Sequence, residues 1–330
     1  MKRLLSMREA LREAMRQEME SDESIFIMGE DVGVYQGVNQ VTGNLIDIFG
    51  PDRVMDTPIS ETAFMGAAVG SAMLGLKPIV ELQVVDFISV CLDPLMNQAA
   101  KINFMSGNQI HVPLVLRAAF GAGLGAAAQH SQSLEALFCH IPGIKVIMPA
   151  TAYDAKGLLV SAIRDPDPIV FLEPRRLYSE ETNVPIETYI IPISKADIKR
   201  QGKDLTIITY GSMLPNSLEL ASLLNEKYQI DCEVIDLRTL QPLDSQTILK
   251  SVEKTKRVVI IHEDIEFMGI GAEIAAQISQ TDLIYKLKTP IKRFGAKFSP
   301  IPFAENLEAE TLPQLINIEK QILAMFRPKL

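Results

Sequence analysis

Short apolar runs recur along this chain with helical patterns between them, and that alternation limits the fold more than any other feature. Strand candidates lie at Ile25-Phe26-Ile27-Met28, Val54-Met55, Pro78-Ile79-Val80, Pro113-Leu114-Val115-Leu116, Lys145-Val146-Ile147-Met148 and Ile169-Val170-Phe171-Leu172. Helical patterns fall at Met7 to Glu20, Thr62 to Leu74, Asp93 to Phe104, Ser133 to Phe138 and Thr151 to Ile163. The pattern predicts an α/β fold, a mostly parallel sheet with helices on both faces. Ligands of such sheets meet the carboxyl ends of the strands. The informative polar residues follow strands there: Glu30 the first, Glu61 the second, Gln83, Asp86 and Phe87 the third, and Gln129-His130-Ser131 the fourth.

An irregular Pro-, Lys- and Arg-containing stretch then reads as a linker. Beyond it a second alternating unit has strands at Leu205 to Thr209, Cys232 to Ile235 and Arg257 to Ile261, with helices at Ser217 to Glu226, Asp244 to Val252 and Gly271 to Ile278. The expected division is therefore residues 1–186, linker 187–203, and 204–330. A chain of 330 residues is long enough for two cores of ordinary size. Its net charge of −9 disfavours non-specific nucleic-acid binding. Cys91, Cys139 and Cys232 are odd in number and widely spaced, which suits reduced thiols in a cytoplasmic protein. The start, Met1-Lys2-Arg3 followed by the Ser6-Met7-Arg8-Glu9 capping pattern, is expected to be helical and not a secretion signal, and no apolar run is long enough for a membrane span.

The helix after the second strand is the most unusual. Ser60 is its expected N-cap, Glu61 sits in its first turn, and Gly66, Ala67, Gly70 and Ser71 place small residues where another backbone can approach. Such a helix is expected to be buried, and burial raises a carboxyl pKa. Glu61 either complements the helix macrodipole or shares a proton with a bound ligand. Gly121-Ala122-Gly123-Leu124-Gly125 allows two readings as well. It is a partial dinucleotide-binding turn, lacking the full fingerprint, or a flexible loop that brings His130 to a site. His130 alone would by default be structural; His111, His140 and His262 are expected to be so. Phe87 reads as core, Glu30 as a solvated loop carboxylate, and Arg164-Asp165-Pro166-Asp167-Pro168 as a solvent-facing turn.

Glu61, Gly66, Ala67 and Gly70 match the pyrimidine-binding pattern of thiamine-diphosphate enzymes, and further blocks extend the match over nearly the whole chain. These are Gly29-Glu30-Asp31-Val32-Gly33, Asp56-Thr57-Pro58-Ile59-Ser60-Glu61, Ala128-Gln129-His130-Ser131-Gln132, Asp154-Ala155-Lys156-Gly157-Leu158 and Val234-Ile235-Asp236-Leu237-Arg238-Thr239. Together they resemble the beta subunits of the decarboxylating component of 2-oxo acid dehydrogenase complexes. The resemblance implies that Glu61 exchanges a proton with the aminopyrimidine ring, and that Ile59, Gln83, Phe87 and Glu30 lie on the cofactor side. It implies that His130 acts when the acyl group passes to a lipoyl group on the acyltransferase component. It also implies a monovalent cation, K+, on carbonyl oxygens of Leu114, Ala162, Ile163, Asp165 and Asp167.

Neither Gly-Asp-Gly nor Asn-Asn, the family's magnesium and diphosphate signature, occurs in the sequence. An alpha subunit is then expected to supply those contacts, with Mg2+, in an alpha-two-beta-two tetramer. Gly66 and Gly70 would serve close helix packing between its subunits. Ile59-Ser60-Glu61 and Pro300-Ile301-Pro302 look like pyruvate-type members. Val84-Val85 departs from the aromatic-containing version of that segment, which leaves branched-chain 2-oxo acids and acetoin open. Val90 replaces an acid found in some relatives and leaves a charged relay between paired sites in doubt. Two readings of other classes stand beside this one: a nicotinamide-dependent dehydrogenase built on the glycine run, and a non-catalytic scaffold.

Overall fold

The computed structural model describes residues 3–327. Met1 and Lys2, part of the start read as lacking a secretion signal, lie outside the described residues. The chain forms two compact units, one from Met1–Phe120 with Leu137–Ile193, the other from Gly121–Ala136 with Ser194–Leu330. The second unit thus begins inside the stretch read as a linker, and Asp197–Arg200 within that stretch is a strand of its sheet. The glycine-rich segment also belongs to the second unit.

In the first unit six strands run parallel in the order Lys145–Ile147, Ile169–Pro174, Val115–Phe120, Lys77–Leu82, Ile25–Gly29 and Val54–Asp56. Their residues are almost all buried, as expected of a parallel sheet covered on both faces. Register places Arg117 opposite Glu81 on the neighbouring strand. Its guanidinium donates to Glu81 at 2.7 Å and to both oxygens of Glu173 at 2.7 and 2.8 Å, while the Tyr178 hydroxyl donates to Glu173 at 2.6 Å. All four side chains are buried, so the fork-shaped cation is what makes two carboxylates tolerable there. Burial pushes the Glu81 carboxyl up, and Arg117 only partly offsets it.

The helices Met7–Ser21 and Ala152–Ile163 pack against one another. Ser6 and Glu9 form a capping box on the first, and Thr151 caps the second. The fully buried Lys156 ammonium reaches Glu13 at 2.6 Å and the carbonyls of Pro185, Ile186 and Glu187. A Cβ on Gly157 would lie 2.6 Å from the Tyr189 ring and 2.7 Å from Ile191. The Asp154-to-Leu158 block is therefore a packing device. The helix expected over Asp93 to Phe104 is broken instead into Ile88–Asp93, a wide π-turn at Pro94–Ala99 and Ala100–Met105. Pro94 has no N–H to continue the ladder, and Cys91 just before it leaves helical geometry.

The second unit has a sheet in the order Lys292–Ala296, Val258–Ile265, Leu205–Thr209, Cys232–Asp236 and Asp197–Arg200, parallel except at the last pair. Its helices Met213–Tyr228, Ser245–Thr255 and Ile270–Ser279 extend the expected ones by a few residues at their ends. None of the three cysteines forms a disulfide; Cys91 and Cys232 are buried and Cys139 is half-buried. Among the described residues no helix is long and apolar enough to cross a membrane.

Candidate active site

Three strand ends lie side by side in the first unit, and the sequence places a polar residue on each. Glu30 follows Ile25–Gly29, Gln83 follows Lys77–Leu82, and Asp56 ends Val54–Asp56. Asp56, not anticipated as a site residue, accepts N–H bonds from Gly33 at 2.6 Å and Val34 at 3.0 Å. It thereby fixes the loop that carries Glu30. A Cβ on Gly33 would come within 2.8 Å of the Asp56 carboxylate, so glycine is what lets the loop approach. Gln83 donates to Asp31 at 3.3 Å and ties its strand end to the same loop.

The helix Glu61–Met73 begins at Glu61. Ser60 precedes it but makes no capping bond, and its hydroxyl donates to the Pro58 carbonyl at 3.1 Å. Glu61, Phe64, Met65, Ala68, Val69 and Ala72 form the buried face. The expectation that the whole helix is buried is corrected: Gly66 and Gly70 are exposed, and a Cβ on either would meet nothing within 4 Å. Among the described residues no backbone packs closely on Gly66 or Gly70. Thr62 on that side donates its hydroxyl to the Val90 carbonyl.

Glu61 and Glu30 come together at the buried end of the helix, 8% and 7% exposed. Burial raises the Glu30 pKa, and the charges of Glu61 and Asp31 push it further the same way. One Glu30 carboxylate oxygen, Oε1, is buried with no hydrogen-bond partner. The Cys91 thiol is pushed up to about 12, by burial first and by the Glu61 charge second. Phe87 closes the short turn Val85–Phe87 half-buried, and Ile59 is 84% exposed at the turn before the helix. The arrangement holds two carboxyl groups in a cramped, donor-poor place. Such a pair raises the cost of ionising both carboxyls at once.

At the proposed cation turn Lys145 sits between the carboxylates of Asp165, at 2.7 and 2.8 Å, and Asp167, at 3.0 Å. Burial lowers the Lys145 pKa, but these two partners outweigh it and the net shift is upward. The Leu114 carbonyl accepts the Ile169 N–H, and the Ala162 carbonyl accepts the N–H groups of Arg164 and Asp165. Ile163 is buried at the end of its helix. Among the described residues no group of three or more His, Cys, Asp or Glu is arranged to hold a metal ion.

His130 lies in the second unit, exposed, on the loop opened by the glycine run. Gly121, Gly123, Gly125 and Ala127 all have positive φ, which turns successive N–H groups inward. Those groups are taken. Ala122 N–H donates to Glu263 at 2.7 Å, and Gly123 and Gly125 donate to the two oxygens of Glu308 at 2.8 and 3.1 Å. This overturns the dinucleotide reading, since a diphosphate would meet two carboxylates where it needs donors.

A cavity of about 540 Å3 beside the loop is lined by Gln129, Ser131, Asp264, Phe298 and Ile301 among others. Asp264 is pushed up to about 7, by burial and the Glu263 charge, and burial drives Glu135 upward too. His262 is fully buried, its Nδ1 3.0 Å from the Asp264 carbonyl, and burial lowers it to about 4. These shifts have opposite signs for stability. Between 3.8 and about 7 the folded chain keeps the Asp264 proton that the unfolded chain releases, so this contribution falls as pH rises. Between 6.5 and about 4 the unfolded chain takes up the His262 proton first, so that contribution falls as pH drops. The slopes oppose one another in the overlap. Thermal unfolding of Asp264→Asn is expected to lose stability more steeply than the wild type as pH is lowered from about 6.5 to about 4.5. Parallel curves would show that Asp264 does not titrate there.

The transketolase pyrimidine-binding domain family matches residues 3–181, and the transketolase C-terminal domain family matches residues 194–318. A solved structure titled as a split-gene transketolase, inactive beta4 tetramer, shares the fold with a TM-score of 0.77 at 21% identity, over 98% of this chain and 99% of that one. The fold and matched domains define a transketolase-type two-domain chain. Pyruvate dehydrogenase E1 component subunit beta-2, mitochondrial, of Oryza sativa subsp. japonica is 46% identical over 95% of this chain and 84% of its own length. The E1 component subunit beta of Rickettsia felis is 46% identical over 94% of each chain. Acetoin:2,6-dichlorophenolindophenol oxidoreductase subunit beta of Cupriavidus necator is 45% identical over 96% of each. This chain belongs to the family of pyruvate dehydrogenase E1 component beta subunits.

Proposed function

We propose that the chain is the beta subunit of a thiamine-diphosphate-dependent dehydrogenase that decarboxylates pyruvate and passes the acetyl group to a lipoyl group. The observation that carries this reading is the buried Glu61 and Glu30 pair, with Glu30 Oε1 lacking any donor. An aminopyrimidine fits such a site because it brings N–H donors and a ring nitrogen that can share a proton. When bound, thiamine diphosphate supplies the carbanion chemistry. Glu61 would exchange the shared proton, with Glu30 buried beside it. Gln83, Phe87 and Ile59 would line the ring. His130 would orient or protonate the acyl acceptor.

An alpha subunit would supply Mg2+ and the diphosphate contacts, and the exposed glycine face of the Glu61 helix is suited to close approach by another subunit. The expected assembly is alpha-two-beta-two, docked on a dihydrolipoyl acyltransferase. A monovalent cation such as K+ would rest on the carbonyls near Leu114, Ala162, Ile163, Asp165 and Asp167, since Lys145 already neutralises the carboxylates there. Three cysteines outside any disulfide suit a cytoplasmic setting, although the rice relatives are named mitochondrial.

The test is co-purification with the product of the neighbouring gene, followed by assay of carbon dioxide release from pyruvate. Release that depends on thiamine diphosphate and Mg2+ is expected; none in their presence would overturn the reading. The Cupriavidus necator relative favours acetoin as a second substrate. Competition between acetoin and pyruvate, with a dye as electron acceptor, decides between them.

A further inference from the structure

The loop that carries His130 is braced by residues distant in sequence. Four of its residues, Gly121, Gly123, Gly125 and Ala127, have positive φ, and the Gly121 N–H to Gln132 carbonyl bond (3.2 Å) and the His130 N–H to Ala127 carbonyl bond (3.3 Å) join its backbone groups. Its inward N–H groups need acceptors from elsewhere. Two carboxylates provide them: Glu308, 3% exposed, accepts from Gly123 and Gly125, and Glu263, 4% exposed, accepts from Ala122. Glu263 also accepts the Ser212 hydroxyl, and Glu308 is carried by the helix Glu305–Thr311, whose Thr311 hydroxyl donates to the Glu308 carbonyl. A Cβ on Gly121 would fall 2.7 Å from the Glu263 carboxylate, so the contact also demands glycine there. These are charge-assisted hydrogen bonds in a water-poor place, stronger than neutral ones.

We infer that Glu308, with Glu263, is a positioning residue that clamps the glycine-rich loop and so sets where His130 is presented. The clamp deepens the proposed function, because its effect on catalysis rests on His130 acting in acyl transfer. Both glutamates act through the loop. The sequence makes the economy visible, since a run of glycines that elsewhere would cradle an anionic ligand is closed here by the protein's own anions.

The experiment uses the complete enzyme assembled with its alpha subunit, in four forms: wild type, Glu308→Ala, His130→Gln and the double variant. Hydrogen exchange of the peptide spanning Gly121 to His130 is read by mass spectrometry. Acyl transfer to a lipoyl domain and dye-linked oxidation of the 2-oxo acid are measured separately. Glu308→Ala is expected to speed exchange in the loop and to lower acyl transfer about 10- to 100-fold, with the dye-linked rate unchanged. The double variant should be no slower than His130→Gln alone. Unchanged exchange overturns the clamp. So does wild-type acyl transfer in Glu308→Ala when His130→Gln is impaired, or additive losses in the double variant. If His130→Gln changes neither rate, the role of His130 fails, and the clamp stands or falls on exchange at Gly123 and Gly125.

Discussion

Glu61→Gln is expected to lower turnover of the assembled enzyme by about 100-fold or more while leaving folding and assembly intact. The substitution keeps the shape of the side chain and removes only its capacity to exchange a proton. Stability should move the other way. Glu61 is buried beside Glu30, whose pKa is raised by burial and then by the Glu61 charge. Neutralising one member of such a pair relieves the other, so the variant should unfold at the same or a higher temperature than the wild type. Lost activity with retained or improved stability marks a group kept for chemistry and not for packing. Near-normal turnover would remove Glu61 from the mechanism, and lost stability would make it a structural cap.

Gly66→Leu should separate folding from assembly, the chain gaining stability while the tetramer loses affinity. Among the described residues a Cβ at this position meets nothing within 4 Å. Replacing a mid-helix glycine there gains about 0.5–1 kcal/mol from helix propensity. The isolated chain should therefore be slightly more stable. At a closely packed subunit contact the same leucine overfills the space, at a cost of about 1–3 kcal/mol per contact. Two copies in a symmetric tetramer double that, enough for a loss of tetramer affinity of about 30-fold or more. Sedimentation of the variant with its alpha subunit reads the loss directly. Tetramers at wild-type affinity would show that this face is not the contact.

Much of this architecture could be read from the chain because parallel strands and amphipathic helices leave local periodic marks. The helix predicted over Thr62 to Leu74 is found at Glu61–Met73, and most strands are within a residue or two of expectation. The strand read as Pro113 to Leu116 shows where locality ends. It runs instead over Val115–Phe120 with Arg117 buried at its centre. A cation inside an apolar run looks like a strand end. It is tolerated only because register brings Glu81 and Glu173 to it from the flanking strands, and no window of sequence contains all three.

The site divides in the same way. Glu30, Glu61 and Gln83 are legible as candidates because each follows a strand, a local signal. Asp56 ends a strand too, but its role appears only once Gly33 and Val34 are seen to bond it. Glu263 and Glu308 are farther from the loop they hold, 141 and 185 residues along the chain. The glycine run advertised an anion, and nothing nearby in sequence said whose. Ser60, the expected cap, makes no capping bond, and its hydroxyl donates to the Pro58 carbonyl.

The return of Gly121–Ala136 to the later unit carries a practical consequence for anyone dividing this polypeptide. A fragment begun at Ser194 would strand Glu263 and Glu308 in a dry interior, facing an empty slot where three amides belong. It should be soluble and ordered only if the missing peptide is added back. The halves are interleaved in chain order, so recombination between homologues at the apparent joint would exchange a lock without its key.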